Sequence, residues 1–183
     1  MSAHRFHPTI LRAYDIRGIF EDTLTTGDAF AIGLSFISIQ KQRGLGNEVT
    51  VGRDGRLSSP ALAAALIDGL VAGGAQVSDI GCGPTPMLYF AAHELGSGGA
   101  IQVTGSHNPP THNGFKMVMG GLSFFGADIE ELGRISAAGP DRTDDGGVVS
   151  RAIEEAYVGR LAAGAVATGL SVCLLYTSPS PRD

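Results

Sequence analysis

A hydroxyl, an imidazole and an ammonium fall within one short stretch of this chain, at Ser106, His107 and Lys116. A serine held beside cationic groups suits a covalent phosphate or an acyl intermediate. An apolar run, Ala100 to Val103, leads into the stretch, and a second, Phe115 to Met119, leads out of it. Between them Gly105, Asn108, Pro109, Pro110, Asn113 and Gly114 all force or favour turns, which predicts a rigid loop with Ser106 near its tip. Taken singly the same residues describe an ordinary surface turn, so residue type alone leaves both readings open.

Two further stretches could supply charge. Arg53-Asp54-Gly55-Arg56 is either a tight turn stapled by its own Arg–Asp pair or a basic rim that meets phosphate oxygens through its guanidinium groups. Tyr14-Asp15-Ile16-Arg17-Gly18 reads locally as a charged turn, with Asp15 and Arg17 paired at the surface.

The elements that must position these groups alternate. Thr26 to Gly44 is expected to be a helix capped by Thr25 or Thr26, and Glu48 to Gly52 a strand. Ser59-Pro60 opens a helix stopped by Gly73-Gly74, with Ser59 as its cap and Pro60 in the first turn. Ala75 to Ile80 is a strand, Thr85 to Gly96 a helix, Ala100 to Val103 a strand, and Gly126 to Ala137 a helix. Such alternation implies βαβ units and a mostly parallel sheet. The arginine turn, Gly81 to Thr85 and the serine loop each follow a strand directly. They should therefore share the carboxyl edge of the sheet, where open α/β sheets bind ligands.

The run T-G-S-H-N-P-P-x-x-N-G-F-K from Thr104 to Lys116 resembles the phosphoserine loop of the alpha-D-phosphohexomutases, the phosphomannomutase and phosphoglucomutase superfamily. LRAYDIRG, ending at Gly18, and VGRDGRLSSP, ending at Pro60, resemble the same family. The resemblance runs from about Phe6 to Val172. It implies a three-layer α/β/α domain with a mostly parallel mixed sheet over residues 1–138, a linker over 139–149, and an incomplete second α/β domain over 150–172. It also implies that Ser106 exchanges a phosphoryl group with a hexose phosphate through a hexose 1,6-bisphosphate, interconverting the 1-phosphate and 6-phosphate. Ser106, His107, Lys116 and Arg17 would be catalytic, while Tyr14, Arg53, Arg56 and Asn108 would bind phosphate or substrate. A Mg²⁺ would bind through the phosphate on Ser106, its other ligands lying outside this chain. Phosphoglucosamine is an alternative substrate for the parent enzyme.

Composition excludes several other classes. Hydrophobic content of 43% with 17% charged residues describes a globular chain, and a net charge of −5 without a basic cluster argues against nucleic acid. No apolar stretch suits a signal peptide or a bilayer span, which makes the cytoplasm the expected location. Cys82 and Cys173 form no C-x-x-C pair. Asp141, Asp144 and Asp145 lack the spacing of a calcium loop. A serine hydrolase built on Ser106 and His107 lacks G-x-S-x-G, because Asn108 stands where the second glycine belongs. A phosphate-binding module without catalysis remains a rival. Ser150 to Ala163 is expected to be a helix and Leu170 to Tyr176 the start of a strand. The Pro/Ser-rich end suggests a non-native tail over 173–183, and hence a truncated chain with little activity of its own. The expected partner is a phosphosugar; oligomeric state is left open.

Overall fold

The computed structural model describes residues 3–164. Its strands are β1 (Ile16–Ile19), β2 (Glu48–Arg53), β3 (Gln76–Cys82), β4 (Gly99–Val103), β5 (His112–Met119), β6 (Leu122–Ser123) and β7 (Gly147–Ser150). Its helices are α1 (Thr26–Gln42), α2 (Ser59–Ala72), α3 (Thr85–Glu94), α4 (Ala127–Ala138) and α5 (Glu154–Gly164). One seven-stranded sheet runs β1-β5-β4-β2-β3-β7, with β6 folded back on β5. β2, β3, β4 and β7 pair in parallel, while β5 is antiparallel to both β4 and β1. The mostly parallel mixed sheet is thus as expected.

Alternation along the strands divides the core into two faces. Val49, Val51, Ile101, Val103, Phe115 and Met117 point to one side and pack with α1, α2 and α4. Ala100 and Val118 point to the other, where Met87, Leu88 and Ala91 of α3 meet Ile153. Helices therefore cover both sides, giving three layers.

Helices α1 and α2 are held unusually close. A Cβ on Gly33 would collide with the Leu66 carbonyl oxygen, and one on Gly69 with the Phe30 carbonyl oxygen. This approach clamps the layer that lies under the sheet. Gly69→Val is expected to destabilise the chain by about 1–3 kcal/mol, read from the shift in its urea midpoint, because the helices must part to admit the side chain.

Four local expectations differ from the structure. Tyr14 to Gly18 is not merely a turn: Ile16–Ile19 forms β1, and its pairing with β5 buries Arg17. Ser59 does not cap α2; Ser58 occupies that position without a capping bond, and the Ser59 hydroxyl turns to Asp54 instead. The stretch 139–149 is not all linker, because Gly147–Ser150 adds a parallel strand beside β3. The helix expected from Ser150 begins at Glu154, with Ile153 buried and Tyr157 against Phe90 at 5.7 Å. Residues 147–157 thus extend the same sheet and α3 layer. The strand expected at Leu170 to Tyr176 and the tail at 173–183 lie outside the described residues. No described helix is long and apolar enough to cross a membrane.

Candidate active site

The ends of β2, β3 and β4 lie side by side, so the three loops share one edge as expected. Asp54 N–H donates to the Val103 carbonyl at 2.9 Å, and Gly83 N–H to the Arg53 carbonyl at 2.9 Å. The carboxylate of Asp54 is the hub on which the serine loop is built. It accepts from the Ser59 hydroxyl at 2.5 Å, the Thr104 hydroxyl at 2.9 Å, and the N–H groups of Gly105 and Arg56, both at 3.1 Å. Burial pushes this carboxyl up, but the bonds from Ser59, Arg56 N–H, Thr104 and Gly105 together outweigh it and hold it below the usual carboxylate range.

A depressed carboxyl contributes stability above its unfolded value and loses it as pH falls through the lower folded one. The stability gap between the wild type and Asp54→Asn is therefore expected to be full above about pH 4 and to close under stronger acid. Thermal unfolding of both proteins across that range checks it.

Arg56 carries the second half of the scaffold. One terminal nitrogen donates to the carbonyls of Pro109 at 2.7 Å and His112 at 3.1 Å. The other donates to Ser106 at 3.0 Å and Asn108 at 2.7 Å, while Nε lies 3.3 Å from Asp54. Only a planar, five-donor guanidinium can hold four carbonyls in this way. It lies flat on Gly105, where a Cβ would collide with Nε, so position 105 has room for glycine alone. The stapled-turn reading of Arg53 to Arg56 describes Arg56 correctly. Its guanidinium is committed to the loop backbone, and Arg56 is not a wall of the crevice described below.

Ser106 is fixed on both sides. Its N–H donates to the Thr104 hydroxyl at 2.9 Å, and its carbonyl accepts from Arg56. Its φ of 53° is left-handed, a conformation that costs a non-glycine residue about 1–2 kcal/mol and is sustained here by those bonds. The result is an exposed hydroxyl at the loop tip, with Nδ1 of His107 at 3.3 Å from Oγ.

Around that hydroxyl opens a crevice of about 500 Å³, whose walls include Arg12, Tyr14, Arg17, Ser106, His107 and Lys116. The sheet register explains why Arg17 and Lys116 meet. Arg17 of β1 lies opposite Gly114 of β5, and Lys116 is two residues further along β5, hence on the same face. Asp15 steadies Arg17 through a 2.5 Å ion pair, and the buried Nε of Arg17 has no hydrogen-bond partner among the described residues.

Of the residues expected at the site, the crevice gathers Ser106, His107, Lys116, Arg17 and Tyr14. Arg53, Arg56 and Asn108 are not among its walls; Asn108 instead staples the loop, its side-chain amide donating to the Gly105 carbonyl at 3.2 Å. Sequence reasoning missed Arg12 and Tyr89. Arg12 was legible in principle. Its N–H bonds the Asp15 carbonyl at 3.0 Å and Leu11 bridges Ile16, so Arg12 and Arg17 flank a reversal of the chain. Tyr89 arrives from the first half of α3, which no local signal relates to the serine loop. For the expected Mg²⁺ the described residues do not suffice. No three His, Cys, Asp or Glu among them gather to hold a metal.

The chain is thus a three-layer α/β/α domain that holds a left-handed serine at a crevice lined by Arg12, Arg17 and Lys116. The family model described as "Phosphoglucomutase/phosphomannomutase, alpha/beta/alpha domain I" matches residues 8–141, and the chain belongs to that family. It is 51% identical over 124 residues to a phosphomannomutase/phosphoglucomutase of Pseudomonas aeruginosa, covering 68% of this chain and 27% of that protein. It is 46% identical over 123 residues to a phosphoglucomutase of Neisseria gonorrhoeae, covering 67% of this chain and 26% of the relative. The chain thus spans about a quarter of the length of these relatives. Among solved structures, a phosphoglucomutase/phosphomannomutase family protein from Burkholderia thailandensis superposes with a TM-score of 0.82 at 41% identity. That match covers 87% of this chain and 36% of the other.

Proposed function

We propose that this chain is the phosphoserine-bearing part of a phosphohexomutase, and that Ser106 is the residue through which the phosphoryl group passes. The observation that carries the reading is the convergence of Arg17, from β1, and Lys116, from β5, on the crevice that holds the Ser106 hydroxyl. A phosphoserine brings about 1.5 to 2 negative charges at pH 7. Arg17, Lys116 and Arg12 offset them from fixed positions, and preorganised charge of this kind supplies most of what phosphoryl transfer needs.

In the forward step a hydroxyl oxygen of a hexose monophosphate bonds to phosphorus as the Ser106 Oγ–P bond breaks. The sugar hydroxyl loses its proton and Oγ gains one. His107, with Nδ1 at 3.3 Å from Oγ, is within reach to hold a proton there. The hexose bisphosphate so formed returns its other phosphoryl group to Ser106, and the net change is exchange of 1-phosphate for 6-phosphate. Mannose and glucose phosphates are the substrates that the relatives' names suggest.

We further propose that the 183-residue chain holds phosphate but does not complete this cycle unaided, since it matches only about a quarter of those relatives. The test is a graft. Residues 8–141 replace their counterpart in the Pseudomonas aeruginosa relative, and conversion of mannose or glucose 1-phosphate is assayed beside the 183-residue chain. Turnover by the graft and none by the chain alone is the expected pair of results. A correctly folded but inactive graft would count against the reading.

A further inference from the structure

Asn113 is fully buried near the start of β5, where the serine loop ends, and is not a wall of the crevice. Its Oδ1 accepts the Gly114 N–H at 2.9 Å. That bond fixes the orientation of the amide, because the flipped form would set donor against donor. The other end of the amide therefore donates, with Nδ2 reaching Ser58 Oγ at 2.8 Å and Ser59 Oγ at 2.9 Å. Ser59, itself fully buried, accepts from the amide and has one proton to give, which goes to Asp54 Oδ1 at 2.5 Å. The other carboxylate oxygen, Oδ2, accepts the Thr104 hydroxyl at 2.9 Å, and Thr104 Oγ1 accepts the Ser106 N–H at 2.9 Å. An unbroken chain of hydrogen bonds thus joins Asn113 to Ser106, and from both ends every donor points toward Asp54.

We propose that Asn113 is a positioning residue for Ser106, acting through Ser59 and Asp54 and not by contact with phosphate or substrate. The proposal rests on the phosphoserine reading above and names what holds that serine in place from beyond the crevice. A hydroxyl rotates to suit its partners and can accept as readily as donate. With the Asn113 amide on its lone pair, Ser59 is committed to donating to the carboxylate. Hydrogen bonds in series also strengthen one another, so the amide makes the Ser59 proton a better donor. Without Asn113 that commitment lapses, and Asp54 stands to lose one of the four donors that offset its burial. Ser58 supplies an internal contrast: the same amide bonds it, yet among the described residues it makes no bond to Asp54.

The test follows the isotope-labelled 183-residue chain by NMR, reading the Asp54 carboxyl titration and amide exchange at Ser106. Asn113→Ala is expected to raise the Asp54 titration toward the usual carboxylate range and to speed exchange at Ser106 about tenfold. Ser58→Ala removes the other bond of the same amide and should change neither. On a Ser59→Ala background, which has already lost the link, Asn113→Ala should add nothing to either readout. Should the alanine variant not fold, Asn113→Ser, too short to reach both serines, takes its place. In the grafted enzyme Asn113→Ala should lower kcat about tenfold and leave KM within about twofold, because Ser106 is misplaced while substrate binding is not. An Asp54 titration that stays put in Asn113→Ala overturns the proposal. So does a Ser58→Ala variant that behaves like Asn113→Ala, since Asn113 would then be only a staple for α2. Additive effects of Asn113→Ala and Ser59→Ala, or an unchanged kcat in the graft, overturn it as well. If the unsubstituted graft folds but does not turn over, the phosphoserine reading fails by itself, and the NMR readouts still decide whether Asn113 acts through Asp54.

Discussion

Replacing Ser106 by alanine is expected to abolish phosphohexomutase turnover in the grafted enzyme, a loss of roughly a thousandfold or more, while leaving stability nearly unchanged. The asymmetry follows from the geometry. The Ser106 hydroxyl is exposed and, among the described residues, bonds only His107, at 3.3 Å, so its removal orphans no buried group there. The loop is held instead by the backbone N–H and carbonyl of residue 106, which alanine keeps. The left-handed φ of 53° remains as costly for alanine as for serine, so the substitution removes the acceptor oxygen and little else. Calorimetry beside the assay separates this outcome from simple unfolding.

The opposite pattern is expected at Arg56. Arg56→Met keeps most of the volume but leaves four carbonyls of the serine loop, and the Asp54 carboxylate, without their common partner. Breaking a largely buried charged hub of this kind costs about 3–5 kcal/mol. Arg56→Lys recovers little of that, because an ammonium offers three donors at one point instead of a planar fork. Both variants should lower the unfolding midpoint and speed amide exchange at Gly105, Ser106 and Asn108. Turnover in the graft should fall because Ser106 is no longer held, although Arg56 is not a wall of the crevice. If Arg56 met phosphate directly instead, its loss would weaken phosphate binding and leave the loop's exchange rates alone.

These two residues show where the sequence was legible and where it was not. The turn-rich run from Gly105 to Gly114, between two apolar strands, announced a fixed loop, and alternating helices and strands announced the shared edge. That edge alone brought the arginine turn to the serine loop. What it could not convey is the direction of a side chain after a turn. Arg53 and Arg56 looked alike as candidate anion ligands, yet Arg56 faces the loop backbone. β1 was hidden for a related reason. Ile16–Ile19 has only two apolar residues, and its strand identity comes from pairing with β5, a partner distant in sequence. β7 was hidden because a four-residue edge strand, with Val148 and Val149 half exposed, has no buried face to impose a pattern. For α1 the sequence left Thr25 and Thr26 as alternative caps; Thr25 is the cap, and it forms a capping box with Asp28, three residues on.

The central claim is that phosphate travels through the oxygen of Ser106. Tandem mass spectrometry of the active graft, sampled after hexose 1,6-bisphosphate is added and again after hexose monophosphate follows, tests it most directly. The expected result is a single phosphoryl group on Ser106 that appears in the first sample and declines in the second. Turnover with the phosphoryl group on any other residue, or with Ser106 unmodified throughout, would contradict it.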